Sequence, residues 1–285
     1  MDFILWWQTL PSKMDPILLS IGSFSIYWYS TMYLVAFGIV YLLCKSKISN
    51  KEYTKLTLPE FEDLLSWCFI ALIIGARLGY VLFYNFEYYI DNPLEILLPF
   101  SIKNGVWKFT GIAGMSYHGG VIGVLIAIWM YARKKDLHLY TIADFLTPAI
   151  PLGYFFGRIG NFINGELYGR VTESSIGMYF PNAGDYQLRH PSQLYEAFFE
   201  GIVLYFLINS LKKRFTFLGF SSGLYVFGYA FFRFFIEYYR EPDNHLGFIL
   251  FNLSMGQLLC IAMMLGGIII WFTQDIKQLL KTKRK

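Results

Sequence analysis

Residues 157–170, GRIGNFINGELYGR, place charged and amide side chains directly after an apolar run of the chain. Counted from Arg158, polar and small residues recur at spacings of 3, 7, 8 and 11, so a continuing helix would bring them onto one face. That face would carry Arg158, Asn161, Gly165, Glu166 and Gly169. Ionisable side chains are expensive in a membrane, so such a face predicts a functional site inside the protein.

A second polar stripe lies in YAFFRFFIEYYR. Its Arg233 has Tyr229 four residues before it and Glu237 four residues after it, and Arg240 follows at a spacing of seven. These spacings place all four side chains near one face of a helix.

Two further residues could contribute to the same chemistry. Arg77, in GARLGYVLFYN, is a third arginine within an apolar segment. His118, in GMSYHGGVIG, stands at the start of another apolar segment and is followed by Gly119 and Gly120. Because glycine has no side chain, these two residues are expected to leave room for another group beside the histidine.

The arginines suggest a binding site for an anion. Arg77, Arg158 and Arg233 come from three predicted helices, whereas Glu166 and Glu237 are the evident carboxylates near them. Three guanidinium groups against two carboxylates would leave a surplus of positive charge facing an interior cavity. The abundant anion in a membrane is a lipid phosphate, which arginine binds through a bidentate fork. The alternative is that Arg233–Glu237 and Arg158–Glu166 are structural ion pairs joining helices.

The composition is that of a polytopic membrane protein. The chain has 285 residues, of which 55% are hydrophobic and only 15% are charged. Soluble domains carry nearer a quarter charged residues, and several apolar runs approach the roughly 20 residues needed to cross a bilayer. We predict an all-α fold with seven transmembrane helices, at about 17–43, 63–84, 115–132, 143–163, 193–211, 221–239 and 255–273.

The charged loops predict how the chain is oriented in the membrane. Segments after the first, third, fifth and seventh predicted helices hold 15 of the 24 Lys and Arg residues. The excess of basic residues places these segments in the cytoplasm. Seven crossings then put the N-terminus outside and the C-terminus inside.

Two outer segments lie between the predicted helices. Residues 85–114, which we call the arm, are apolar and aromatic but interrupted by proline and glycine, so they are expected to lie along the membrane interface. Residues 164–192, which we call the head, are expected to form a small outer, periplasmic cap. No repeat or second domain is evident, so residues 1–285 are predicted to form one domain.

Glycine pairs four residues apart are expected to let helices pack closely. They are Gly75/Gly79, Gly119/Gly123 and Gly153/Gly157. Small residues at this spacing allow the backbones of neighbouring membrane helices to approach each other.

Six blocks of the chain resemble blocks of the prolipoprotein diacylglyceryl transferase family and occur in that family's order. They are SIYWYSTMYLVAF, GARLGYVLFYN, MSYHGGVIG, GRIGNFINGELYGR, RHPSQLYE and FRFFIEYYREPD. The resemblance implies a bacterial inner-membrane enzyme with seven transmembrane helices, interfacial arms and an outer head. It also implies transfer of the diacylglyceryl group of phosphatidylglycerol to the lipobox cysteine of a prolipoprotein signal peptide, which forms a thioether and releases glycerol-1-phosphate.

The same resemblance implies which residues are essential. By motif they are Tyr29, His118, Arg158, Asn161, Glu166, Gly169, Tyr229, Arg233, Glu237 and Arg240. Gly169 is expected to allow close approach of the backbone rather than to perform chemistry.

The implied reaction requires a thiolate and a stabilised leaving phosphate, since the pKa of a free cysteine is near 8.5. Arg158 and Arg233, together with Arg240, are expected to hold the phosphate as its charge develops. His118 could act as the base or could hydrogen-bond the headgroup, and the sequence leaves both roles open. The residues expected to position the headgroup or hold the arginines are Tyr29, Asn161 and Glu166. Arg77 is expected to contact the headgroup.

No cofactor and no metal site are expected. The chain has no nucleotide-binding loop, and its three cysteines include no CxxC pair. The expected partners are phosphatidylglycerol, prolipoprotein signal peptides and the bilayer, with no nucleic acid.

Two other function classes fit parts of the pattern. A transporter for an anionic solute or lipid would also use interior arginines. An intramembrane protease would need a pair of aspartates or a serine–histidine arrangement. Ser116 and His118 are two residues apart, which in a helix directs their side chains away from each other.

Overall fold

The computed structural model describes residues 3–22, 24–96, 98, 100–103, 106–109, 114–241, 248–250 and 253–282. The helices are α1 (Phe3–Gln8), α2 (Trp28–Ser49), α3 (Leu58–Tyr84), α4 (Phe86–Asp91), α5 (Tyr117–Lys134), α6 (Leu139–Leu146), α7 (Ile150–Ile163), α8 (Ser192–Glu196), α9 (Leu204–Leu211), α10 (Phe220–Ile236) and α11 (Met255–Thr282). A π-helical segment, Ala197–Val203, joins α8 to α9. Short 3₁₀ turns are Pro11–Lys13, Pro93–Ile96 and Pro181–Ala183.

Within the described residues, the strands form four separate antiparallel pairs. They pair β1 (Ile17–Ile21) with β2 (Phe24–Tyr27), β3 (Phe100–Lys103) with β4 (Val106–Phe109), β5 (Met178–Tyr179) with β6 (Leu188–Arg189), and β7 (Phe248–Leu250) with β8 (Leu253–Ser254).

Four helices within the described residues are long and apolar enough to cross a bilayer. They are Trp28–Ser49, Leu58–Tyr84, Ser192–Leu211 and Met255–Thr273. A fifth apolar helix, Phe220–Ile236, is shorter. The protein is therefore a helical membrane protein, and the number of seven spans stays a prediction.

The first predicted helix, 17–43, was wrong over its first eleven residues. Ile17–Ile21 and Phe24–Tyr27 pair as strands β1 and β2, and α2 begins only at Trp28. Gly22, the residue after β1, has a φ of +62°, a conformation that favours glycine because other residues rarely adopt it. The serine hydroxyls of Ser20 and Ser25 lie 3.0 Å apart across the strand pair. The apolar composition of this run suits a strand as well as a helix, so composition alone did not separate the two.

The fourth predicted helix, 143–163, is interrupted. α6 ends at Leu146 and α7 begins at Ile150, with Pro148 in the break and Pro151 in the first turn of α7. Proline cannot donate the helical hydrogen bond and clashes with the preceding turn, whereas it is tolerated where a helix starts. The other predicted helices agree with the observed ones to within a few residues, except that α3 begins five residues early and α11 extends to Thr282.

The chain divides into two compact units, one of Met1–Lys47 with Ala143–Lys285 and one of Ile48–Ile142. The second unit is built on the pair α3 and α5, which meet at glycines. A Cβ atom on Gly75 would lie 2.4 Å from the carbonyl oxygen of Gly119, and one on Gly123 would lie 2.2 Å from that of Ala71. The close packing predicted for Gly75/Gly79 and Gly119/Gly123 is confirmed.

The first unit packs α9, α10 and α11 around Leu204, Ile208, Phe220 and Leu224. Asp144 ties the start of α10 to the chain at the end of α6. Its carboxylate accepts hydrogen bonds from the backbone N–H groups of Gly219 (2.6 Å) and Ser222 (2.8 Å), which are otherwise unpaired at a helix start. This contact helps to set the position of α10, which carries the second polar stripe.

In the same unit, Gly153 behaves as predicted and Gly157 does not. A Cβ atom on Gly153 would lie 2.9 Å from Cγ2 of Val40 in α2, whereas one on Gly157 would have no neighbour within 4 Å. The pair Gly153/Gly157 therefore packs through only one of its two members.

Candidate active site

Three arginines of the first unit converge on one buried carboxylate, that of Glu196 at the end of α8. We call Arg158, Arg233, Arg240 and Glu196 the arginine cluster. Nη1 of Arg233 lies 2.7 Å from Oε1 of Glu196, and Nη1 of Arg240 lies 3.3 Å from the same oxygen. Nε of Arg158 lies 2.7 Å from Oε2, but its N–H does not point at that oxygen, so this contact is an ion pair without an aligned hydrogen bond.

The burial of the cluster is uneven. Only 1% of the Glu196 side chain is exposed, whereas 17%, 15% and 18% of the side chains of Arg158, Arg233 and Arg240 are exposed. Each arginine side chain therefore contacts the buried carboxylate and is itself partly accessible. A guanidinium group has five N–H donors, so donors that the carboxylate does not engage can bind an anion.

Aromatic and acidic neighbours complete the cluster. The hydroxyl of Tyr154 donates to Oε2 of Glu196 at 3.3 Å, and its ring lies 4.7 Å from the guanidinium carbon of Arg158. Tyr229 contacts Tyr154 edge to face, with ring centroids 5.7 Å apart. The predicted pair of Arg233 with Glu237 is present at 3.2 Å.

The polar residues that follow Arg158 were predicted to share one helical face, but a turn rather than a continuing helix brings them together. α7 ends at Ile163, and Gly165 then has a φ of +66°. Nη1 of Arg158 donates to Oδ1 of Asn161 at 3.2 Å, and Nδ2 of Asn161 donates to Oε1 of Glu166 at 2.8 Å. The prediction of one helical face was therefore wrong beyond Asn161, and the amide of Asn161 links Arg158 to Glu166.

Gly169 lies where three backbone segments meet. It forms a bridge with Arg240, and its N–H donates to the carbonyl of His190 at 2.7 Å. A Cβ atom at this position would lie 2.2 Å from the carbonyl oxygen of Tyr239 and 2.8 Å from Cβ of His190. The close backbone approach expected of Gly169 agrees with this geometry, and it fixes the backbone that carries Arg240.

Charged residues of the head are paired beside these segments. Both Nε and Nη2 of Arg189 donate to Oδ2 of Asp185, at 3.1 and 2.6 Å. These hydrogen bonds, with one from the N–H of Gln187, hold the pKa of the Asp185 carboxyl below its ordinary value. Burial lowers the pKa of His190, whose Nδ1 lies 3.1 Å from the hydroxyl of Tyr195.

Tyr29 is placed at the start of α2, within the first unit. Its hydroxyl donates to that of Tyr33 at 3.3 Å. Its Cα atom lies 3.4 Å from where a Cβ on Gly160 of α7 would stand, so the two helices are close at this point. The packing holds Tyr29 near the helix that carries Arg158 and Asn161.

His118 and Arg77 belong to the second unit, so they are described apart from the arginine cluster. The ring of His118 is exposed at the first turn of α5 and contacts Tyr117 edge to face. Gly119 and Gly120 were expected to leave room for another group beside the histidine, and both are buried against α3. The space beside these glycines is therefore filled by the neighbouring helix.

The contacts of Arg77 favour a structural role over the predicted headgroup contact. Its Nε donates to the carbonyl of Ile96 at 2.7 Å, Nη2 to that of Glu95 at 2.6 Å and Nη1 to that of Gly114 at 3.2 Å. The guanidinium also lies 4.9 Å from the ring centroid of Tyr89. Arg77 therefore ties α3 to the arm at residues 95–96 and at its last residue, Gly114; residues 97, 99, 104–105 and 110–113 of the arm lie outside the described residues.

Replacing Arg77 by methionine should loosen the arm. The carbonyl groups of Glu95, Ile96 and Gly114 would lose charge-assisted donors, each worth about 1.5–3 kcal/mol. We expect faster hydrogen exchange in α4 and in residues 93–96, measured by mass spectrometry. Arg133→Met, at an exposed position in α5, is the control and should leave this exchange unchanged. Equal protection in Arg77→Met and wild type would contradict the role.

Glu196 and Glu200 are not among the site residues predicted from the sequence. Both are fully buried in the segment Ser192–Leu211, which reads as an apolar helix. Two carboxylates four residues apart inside such a helix were the available signal, because charges in apolar spans are rarely without a role. The predicted surplus of cationic groups is corrected accordingly: Glu196 lies among the arginines, and Glu237 pairs with Arg233.

Comparison with known proteins identifies similar chains. A model of the family described as "Prolipoprotein diacylglyceryl transferase" matches residues 16–273. Three relatives carry the name phosphatidylglycerol–prolipoprotein diacylglyceryl transferase. The protein of Chlorobaculum tepidum is 53% identical over 277 residues, which cover 96% of this chain and 95% of the relative. That of Bordetella parapertussis is 46% identical (90% and 93% covered), and that of Rickettsia bellii is 43% identical (96% and 100% covered).

Proposed function

The chain belongs to the prolipoprotein diacylglyceryl transferase family, and we propose on this basis that it transfers the diacylglyceryl group of phosphatidylglycerol to the lipobox cysteine of prolipoproteins. The observation that carries the proposal is the convergence of Arg158, Arg233 and Arg240, whose side chains are each partly exposed. Fixed guanidinium groups suit a phosphodiester that gains charge as it leaves.

The proposed step is a displacement at carbon. The thiolate sulfur attacks the carbon of the diacylglyceryl group that bears the phosphate, a C–S bond forms, and the bond between that carbon and the phosphate oxygen breaks. The electron pair of that bond goes to the phosphate oxygen, which releases glycerol-1-phosphate. The thiol proton goes to a base, for which His118 is a candidate because the ordinary pKa of histidine is about 6.5. The alternative role for His118 is a hydrogen bond to the headgroup.

The other residues of the site are proposed to position these groups. Asn161 and Glu166 orient Arg158 through the hydrogen bonds described above. Glu237 holds Arg233. Tyr229 supports the cluster through Tyr154. Tyr29 and Gly169 are proposed to shape the pocket for the headgroup.

We also propose that the enzyme lies in the bacterial inner membrane as one functional domain with seven spans. The N-terminus would be outside and the C-terminus in the cytoplasm, because the predicted inner loops hold most of the basic residues. The arm and the head would then lie at the outer face, where prolipoproteins emerge.

The proposal is tested with purified protein, phosphatidylglycerol vesicles and a lipobox peptide, in the presence of a chelator and without nucleotide. We expect the peptide to gain the mass of one diacylglyceryl group and glycerol phosphate to be released. A peptide with serine in place of the lipobox cysteine is the control and should gain nothing. Movement of the lipid without a gain in peptide mass would favour a transporter. A requirement for added metal would contradict the cofactor-free mechanism.

A further inference from the structure

We propose that Glu196 is a positioning residue for the transfer: its buried carboxylate sets the orientation of Arg158, Arg233 and Arg240 towards the leaving phosphate. The inference rests on the proposed function and deepens it. Glu196 would act through the arginines and would not itself contact the substrate, since only 1% of its side chain is exposed.

The carboxylate joins segments that are far apart in the chain. Arg158 is on α7, Arg233 is on α10, and Arg240 follows α10. Oxygen Oε1 contacts Arg233 and Arg240, while Oε2 contacts Arg158 and the hydroxyl of Tyr154. Three like charges this close would otherwise repel one another, so one shared negative charge fixes their mutual distances.

The pairing leaves donors for a ligand. Within the described residues, no hydrogen bond or ion pair engages Nη2 of Arg158, Nε of Arg233, or Nε and Nη2 of Arg240. Because a guanidinium group is planar and rigid, fixing one edge also fixes the direction of the opposite edge. Glu196 therefore determines where the free donors point before any substrate arrives.

The helix that carries Glu196 is itself held firmly. The π-helical segment begins at the next residue, Ala197, and such segments occur frequently at functional sites. Gly201 lies against α7, since a Cβ atom there would stand 2.7 Å from Cβ of Phe155. The carboxylate and the helix that carries Arg158 therefore belong to one tightly packed pair of elements, which suits a preorganised site.

Glu196→Gln keeps the shape of the side chain and removes its charge. We expect kcat for diacylglyceryl transfer to fall about 100-fold, because small displacements of catalytic groups have effects of this size. Glu173→Gln is the control. It makes the same chemical change at an exposed carboxylate of the head, and within the described residues Glu173 forms no ion pair with the arginine cluster. It should retain activity to within about 3-fold.

A double-mutant cycle separates positioning from damage to the fold. If Glu196 acts through Arg158, the loss in Glu196→Gln combined with Arg158→Lys will be far smaller than the product of the two single losses. Damage to the fold would instead multiply the two losses and lower the thermal midpoint of Glu196→Gln. Multiplicative losses would overturn the inference.

A second variant keeps the inference testable if Glu196→Gln fails to fold. Glu196→Asp retains the charge but is one methylene shorter and cannot span all three contacts, so we expect about a tenfold loss of kcat. Wild-type rates in either folded variant would overturn the positioning role. Absence of transfer by the wild-type protein would instead overturn the proposed function, so the two failures are distinguishable.

Discussion

Replacing Arg158 by lysine is expected to lower the rate of diacylglyceryl transfer by about 10²–10³-fold, the usual effect of removing one donor to developing charge. Lysine keeps the positive charge but has a single nitrogen. That nitrogen cannot contact Glu196, Asn161 and a phosphate at the same time. In Arg158, Nε contacts Glu196 and Nη1 donates to Asn161, and Nη2 is proposed to bind the phosphate. The fork geometry, rather than the charge, is therefore what the variant tests.

The measurement is the initial rate of mass gain on a lipobox peptide, with folding monitored by thermal unfolding in the same detergent. Arg214→Lys, at an exposed position outside the arginine cluster, is the control and should keep the wild-type rate. Arg158→Lys should unfold near the wild-type midpoint, because the charge that balances Glu196 remains. A near-wild-type rate would show that bidentate holding of the phosphate is unnecessary.

Replacing Gly119 by alanine is expected to destabilise the second unit by about 3 kcal/mol or more, at the upper end of overpacking effects. The added methyl group would lie 2.3 Å from the carbonyl oxygen of Gly75 and 2.8 Å from Cα of Gly79. These are backbone atoms of α3 and cannot rotate away as a side chain would. The two helices would have to separate, and the contacts along their whole interface would weaken.

Thermal unfolding of the purified variant measures this effect, and a fall of about 10 °C in the midpoint corresponds to it. Gly38→Ala is the matched control, since a Cβ atom at Gly38 of α2 would have no neighbour within 4 Å. That variant should be as stable as the wild type or slightly more so, because alanine favours the helix over glycine. An unchanged midpoint for Gly119→Ala would contradict the packing of α3 against α5.

The two predictions separate chemistry from folding. Arg158→Lys should lose rate and keep its stability, whereas Gly119→Ala should lose stability first. Gly119 directly follows His118 in the first turn of α5. A displaced α5 would therefore also move the candidate base, and activity should fall together with the folded fraction.

Some elements could be predicted because each depends on local composition. α5, α10 and α11 begin within two residues of their predicted starts. Apolar residues at helical spacing indicate which segments form helices with a buried face. The strand pair within 17–27 and the break near Pro148 escaped prediction. A short apolar run suits strand and helix alike, and whether a proline breaks or kinks a helix depends on its surroundings.

By itself, the sequence determined that this is a helical membrane protein and that Arg77, Arg158 and Arg233 carry its unusual charge. Periodicity describes one element at a time, so it could relate Arg233 to Glu237 four residues away. Only the tertiary structure decided that Glu196, 37 residues before Arg233 in the chain, joins the three arginines of the arginine cluster, and that Arg77 binds backbone carbonyls. Packing between segments that are distant in the chain determines which helices face each other, and a local sequence pattern does not contain this information.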